Sequence, residues 1–148
     1  MDHEQHTDGD AMATNAVVKS TIGVELRKDL ERIDSLRELA DDWNTYGGVP
    51  ATVLAAASAS DLLRSLVSDD ERPRYTLVRP HSIAPLASGG LNLEWRGPHG
   101  EMTVEVYPDG RLGCYVVESH DGETIERDEE NTAIADVYAS LRCILGIQ

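Results

Sequence analysis

At 148 residues the chain is long enough to bury a hydrophobic core as one compact domain, and 27 acidic against 13 basic residues give it a net charge of −14, which argues against nucleic acid or an anionic membrane as a direct partner. Its apolar runs are only a few residues, far below the ~18 needed to cross a bilayer, and its first residues, MDHEQHTDGD, lack the basic start and apolar run of a secretory signal, so a cytoplasmic location is expected. Two cysteines, Cys114 and Cys143, make no disulfide framework; both are expected on inward faces as small core residues.

Residues 1–16 carry Asp2, Glu4, Asp8 and Asp10 with no Lys or Arg, and their small polar composition predicts a disordered acidic tail ahead of a single domain over 17–148. The first predicted element is a helix from about Gly23 to Trp43, because Leu26, Leu30, Ile33, Leu36, Leu39 and Trp43 recur at spacings of three and four and build one apolar stripe. Gly47 and Gly48 can take positive φ where the chain must reverse, and Pro50 keeps the helix from running on. In this structural loop Trp43 is expected to plug the bottom of the core, with the Tyr46 ring beside it and its hydroxyl on a backbone partner. A second helix, about Thr52 to Val67, places Val53, Ala56 or Ala57, Ser60, Leu63 and Leu66 or Val67 at helical spacing and completes an αα-hairpin.

After the polar break SDDERPR the period changes to two. Leu91, Leu93 and Trp95 alternate with Asn92, Glu94 and Arg96. Met102, Val104 and Val106 alternate with Thr103, Glu105 and Tyr107. Leu112, Cys114 and Val116 alternate with Gly113, Tyr115 and Val117. The turn signals SGG, GPHG, PDG and HDG separate these runs, so they read as antiparallel strands with one buried face. A strand over about Ser82 to Leu86, flanked by Pro80 and carrying Pro85, suits a sheet edge, and a short strand over about Thr124 to Arg127 finishes the meander. The chain closes with a helix capped by Asn131 or Thr132, its stripe formed by Ile134, Val137, Leu141, Ile144 and Leu145. The fold class is therefore α+β: an N-terminal αα-hairpin, an antiparallel meander of four to five strands with one face covered by helices, and a C-terminal helix.

The stretch LRELADDWNTYGGVP, an Ala-rich helix, and then GGLNLEW followed by EMTVEV resemble a widespread set of small, mostly uncharacterised prokaryotic proteins. Their shared pattern is W-[DN]-x-Y-[GD], a helix, and G-G-[LIV]-x-[LI]-E-W. The resemblance covers about Leu36 to Val117 and rests most specifically on Trp43, Asn44, Tyr46, Gly89, Gly90, Glu94, Trp95 and Glu105, with Gly48 where an acidic or small residue is equally typical. It implies a shared fold unit and lends no catalytic residues; Trp43, Tyr46, Gly47, Gly48 and Trp95 are read from spacing and turn chemistry as structural.

No P-loop, dinucleotide-binding glycine fingerprint, nucleophile elbow or zinc knuckle occurs, and the five histidines lack metal-ligand spacing, so no catalytic residue, cofactor or metal is assigned. Glu94 and Glu105 could face each other across two strands, near Arg96 and Arg111, and share a metal or a proton; ordinary charged sheet surface accounts for them as well. The favoured reading is a protein-binding module without catalysis, of antitoxin or immunity type. Its surface is formed by Tyr107, Tyr115 and Val117 beside Glu94 and Glu105, and its partner is a basic protein or a second copy of the chain. The alternatives are a mimic of nucleic-acid charge and a carboxylate-dependent enzyme using Glu94 and Glu105. The acidity, with Arg dominating over Lys19 and Lys28 and Phe absent, equally suits a salt-rich cytoplasm or a GC-rich genome. The acidic run ESHDGETIERDEE reads as a solvated strand end.

Overall fold

The computed structural model describes residues 23–67 and 74–147, so the expected acidic tail and most of the polar break lie outside the described residues. Helix α1 spans residues 23–36, and its stripe is the expected one: Ile33 and Leu36 are buried, and Leu26, Leu30 and Leu39 pack against the core. It ends seven residues before Trp43. The Leu36 carbonyl accepts the N–H of Ala51 at 3.0 Å, and the last turn tightens as the N–H groups of Arg37 and Glu38 bond three residues back. The returning chain therefore caps the helix where periodicity alone would extend it.

Trp43 is accordingly half-buried outside the core, its indole N–H donating to the Val49 carbonyl at 2.8 Å. Tyr46 is 89% exposed and does not pack in the core. The loop is held by side chains: Asn44 Oδ1 accepts from the N–H groups of Tyr46 and Gly48, and Asp42 Oδ1 from that of Gly47. Positive φ falls on Asp42, Thr45 and Gly47 but not on Gly48. Gly48 is needed for space instead, since a Cβ there would stand 2.7 Å from Asn44 Oδ1 and 2.9 Å from the Trp43 ring.

Helix α2 (Val53–Ser65) starts at Thr52, whose hydroxyl accepts from the Ala55 N–H at 3.0 Å and donates to the Pro108 carbonyl at 2.6 Å. Its buried face is Ala55, Ala56, Ala59, Leu62 and Leu63, followed by Leu66. The stripe is thus rotated from the expected one, and Val53 and Leu54 are exposed, because small alanines let the helix lie close on the sheet. A one-turn helix α3 (Tyr75–Val78), which the sequence reading did not anticipate, leads into the sheet and buries Tyr75 and Val78.

The sheet comprises β1 (Ser82–Pro85), β2 (Leu91–Gly97), β3 (Gly100–Val106), β4 (Leu112–His120) and β5 (Glu123–Glu129), in that spatial order and antiparallel throughout. Leu91, Leu93, Trp95, Met102, Val104, Val106, Leu112, Cys114 and Val116 form the buried face. Helix α2 packs on β2 and β3 over that face, and α4 (Ile134–Leu145) on β2, β3 and β4. The cap of α4 is Ala133, one residue beyond the expected Asn131 or Thr132, because the Thr132 N–H is engaged by the Leu112 carbonyl at 2.8 Å. Val137, Leu141 and Ile144 are buried, whereas Cys143, two residues past Leu141 and so on the far side of the helix, is exposed rather than in the core. Among the described residues no helix is long and apolar enough to cross a membrane.

Asp29 is the one buried charged residue among those described, 7% exposed on α1. It accepts the Tyr75 hydroxyl at 2.6 Å and Arg79 Nη2 at 2.8 Å and Nε at 3.2 Å; Arg79 also pairs with Glu25. This network ties α1 to the segment entering the sheet.

Burial and then the Asp29 hydrogen bond hold the Tyr75 hydroxyl protonated far above its ordinary value. Burial, then Glu129, pushes the Cys114 thiol up to about 11. Both groups keep their protons longer folded than unfolded, so their stabilisation is complete below the ordinary values of 9.0 and 10.0 and is lost as pH rises through the folded ones. Glu118 has the opposite sign: the His120 contact, then Arg127, holds its carboxyl below the ordinary 4.5, so its contribution is present above that value and lost as pH falls through the folded one. Thermal midpoints followed from pH 3 to 11 are expected to be highest between about pH 5 and 9 and to fall on both sides. Tyr75→Phe with Cys114→Ser is expected to flatten the alkaline limb, and an unchanged limb would contradict the assignment.

Candidate functional site

The face of the sheet opposite the helices is uncovered among the described residues, and strand alternation brings the surface candidates onto it. On β2 these are Asn92, Glu94 and Arg96; on β3, Glu101, Thr103 and Glu105; on β4, Gly113, Tyr115 and Val117; on β5, Thr124, Glu126 and Asp128. Tyr107 follows β3 directly and leans onto the same face. Its N–H donates to the Arg111 carbonyl at 2.9 Å, and its ring lies over Gly113. A Cβ at residue 113 would be 2.8 Å from the Tyr107 hydroxyl and 3.2 Å from ring carbons, so glycine is what lets the aromatic ring lie flat on the strand.

The Arg111 guanidinium stands 4.7 Å from the centre of the Tyr107 ring, and its Nε donates to Asp109 at 2.7 Å. The Arg111 N–H, then its side chain, hold the Asp109 carboxyl below its usual range, so the pair is charged on both sides and fixes the turn. Partial desolvation and then Glu105 raise the Tyr107 phenol; partial desolvation and then Glu126 raise that of Tyr115, which is 41% exposed. Both hydroxyls are therefore protonated donors set among carboxylates.

Asn92, Thr103, Glu105, Tyr107, Tyr115 and Asp128 enclose a shallow groove of about 320 Å³ above Gly113. A smaller hollow, about 150 Å³, lies on the other side of the sheet, where Cys114, Val116 and Arg127 meet Asp136 and Ser140 of α4. Arg127 in that hollow is already paired with Glu118.

Register corrects one expectation. Glu94 stands opposite Thr103, and Glu105 opposite Asn92, so the two carboxylates are diagonal neighbours rather than a facing pair. Glu94 instead lies 3.5 Å from His81, Arg96 pairs with Glu101 at 3.4 Å, and Glu105 neighbours Tyr107. No group of three or more His, Cys, Asp or Glu suited to hold a metal occurs among the described residues. Tyr107, Tyr115, Val117, Glu94 and Glu105 do share one face, whereas Trp43, Tyr46, Gly47 and Gly48 form a separate loop, and Trp95 points into the core.

Glu126 and Asp128 are members of this surface that the sequence reading left out. The signal was available in the HDG turn: once Asp121 and Gly122 are placed at its tip, both with positive φ, counting outward sets Val117 against Glu126 and Tyr115 against Asp128. Comparison with protein-family models, curated proteins and solved structures finds no match to this chain.

Proposed function

We propose that this chain is a small, acidic, cytoplasmic protein-binding module without catalytic activity, which masks a basic surface of another protein in the manner of an antitoxin or immunity partner. The observation that carries the reading is the placement of Tyr107, Tyr115 and Val117 on one sheet face, uncovered among the described residues, within a frame of Glu94, Glu101, Glu105, Glu126 and Asp128. Aromatic rings whose positions are already fixed supply contact area at little entropic cost, and carboxylates around them select a cationic partner and speed its approach. The diagonal placement of Glu94 and Glu105, each beside a different neighbour, favours this reading over a shared proton or metal. A charge mimic needs no aromatic residues, and Tyr115 within the face, with Tyr107 at its end beside the β3–β4 turn, favours a packed interface.

Affinity capture from native lysate at low and high salt tests the proposal. A basic protein is expected to be retained in fixed ratio and to persist at high salt. Tyr107→Ala with Tyr115→Ala is expected to lower its affinity by about a hundred-fold, since central interface aromatics contribute about 1–2 kcal/mol or more each. Unchanged capture by a folded double variant would overturn the assignment of this face. Binding that disappears at high salt would favour charge mimicry.

A further inference from the structure

We propose that β5 is a docking edge for an extended basic segment of the partner, which joins the sheet as a sixth strand. The proposal rests on the binding-module reading above and specifies how the partner is held. The sheet has two edges of different kinds. β1 is four residues long, contains Pro85 and follows Pro80, features that discourage further pairing. β5 is seven residues long, without proline, exposed at every position, and among the described residues no strand pairs with its outer side.

The phase of the ladder says which backbone groups are on offer. The Ser119 N–H donates to the His99 carbonyl, and the Tyr107 N–H to that of Arg111, so odd-numbered residues of β4 bond toward β3 and even-numbered ones toward β5. Cys114, Val116 and Glu118 are opposite Glu129, Arg127 and Ile125, which therefore bond inward. The alternate residues, Thr124, Glu126 and Asp128, direct N–H and C=O outward as a template for another strand. Their side chains lie on the same open face as Tyr107 and Tyr115.

Charge selects the occupant. A second copy pairing through β5 would set carboxylates of one chain against those of the other, since Glu123, Glu126, Asp128 and Glu129 all lie on this strand, and like charges directly opposite are destabilising. A strand with Lys or Arg at alternate positions meets Glu126 and Asp128 with opposite charge on the open face. An apolar residue facing the other way lies beside Ile125, which is half exposed.

The test uses the full chain and an eight-residue peptide alternating Lys and Val, with a second peptide N-methylated at alternate residues as control. Titration is followed by affinity and by hydrogen exchange at the amides of Thr124, Glu126 and Asp128. Those amides are expected to gain protection, and the N-methylated peptide to bind about ten-fold more weakly or worse. Glu126→Pro removes an outward N–H together with the carboxylate, so it is compared with Glu126→Gln, which loses the charge and keeps the N–H; because Ile125 and Arg127 hold the strand to β4, Glu126→Pro is expected to keep the thermal midpoint and to bind the peptide about ten-fold more weakly than Glu126→Gln. Equal binding of both peptides, equal affinity of Glu126→Pro and Glu126→Gln, or a dimer through β5 in light scattering would each overturn the proposal. The Tyr107→Ala and Tyr115→Ala variant separates the two readings. If it alone loses binding, the open face stands and the edge falls. If Glu126→Pro loses peptide binding that Glu126→Gln keeps, while the tyrosine variant retains the captured protein, the edge stands and the face falls.

Discussion

Trp95→Ala is expected to lower the free energy of unfolding by about 3–5 kcal/mol, a large share of the ~5–15 kcal/mol that holds a domain of this size together. The indole is 1% exposed on β2, the largest fully buried side chain, and stands opposite Met102 on β3. Its removal leaves a cavity that strands fixed on both sides cannot close. It also breaks the hydrogen bond from the indole N–H to the Val78 carbonyl, 2.7 Å, which secures the end of α3 to the sheet. Trp95→Phe separates the two contributions: most of the ring volume remains, the carbonyl loses its partner, and the expected cost is about 1–3 kcal/mol. Urea unfolding followed by circular dichroism measures both variants. Equal losses would mean that the hydrogen bond outweighs the volume, contrary to the packing argument.

The second large effect is expected from Asp29→Ala, about 2–4 kcal/mol. The substitution removes a carboxylate that serves three donors and leaves the Tyr75 hydroxyl buried without its acceptor and the Arg79 guanidinium without its main counter-charge. The figure is set below that for a fully buried pair because the Arg79 side chain keeps 34% exposure and turns in part to water and Glu25. Tyr75→Phe leaves the Asp29 and Arg79 pair intact, so a loss of only about 1 kcal/mol is expected. In a double-mutant cycle Asp29→Ala and Tyr75→Phe are expected to couple; strictly additive losses would show that the network contributes no joint stabilisation.

The sheet was legible because its period of two is short and local: each of Leu91 to Trp95, Met102 to Val106 and Leu112 to Val116 declares its own inward face, and the intervening turns declare themselves by glycine. The end of α1 was not. Its stripe continues correctly to Leu39 and then to Trp43, and what stops the helix at Leu36 is an N–H from Ala51, on the far side of a loop that one-dimensional spacing cannot close. The same limit hid Asp29, which looks like one more surface acid on α1 until Arg79, fifty residues later, is folded against it. Of the candidate surface, the residues on β3 and β4 followed from alternation, while the pairing of Glu94 with Thr103 needed the exact length of the GPHG turn, where Gly97 stands opposite Gly100. The residues of β5 were read as solvated charge because composition outweighed register there.

Every pair of neighbouring strands is also a pair of neighbours in the chain. Each pairing therefore closes a short loop, little chain entropy is spent before contacts repay it, and the contact order of the sheet is low for a β structure. Helix α4 is different in kind. The His99 N–H in the β2–β3 turn donates to the Ile144 carbonyl, and a Cβ on Gly97 would collide with that same carbonyl, so the helix end has a seat only once the hairpin exists. A meander that zips from one strand to the next, closed by a helix that follows the sheet in the chain, lets assembly proceed in the order of the sequence.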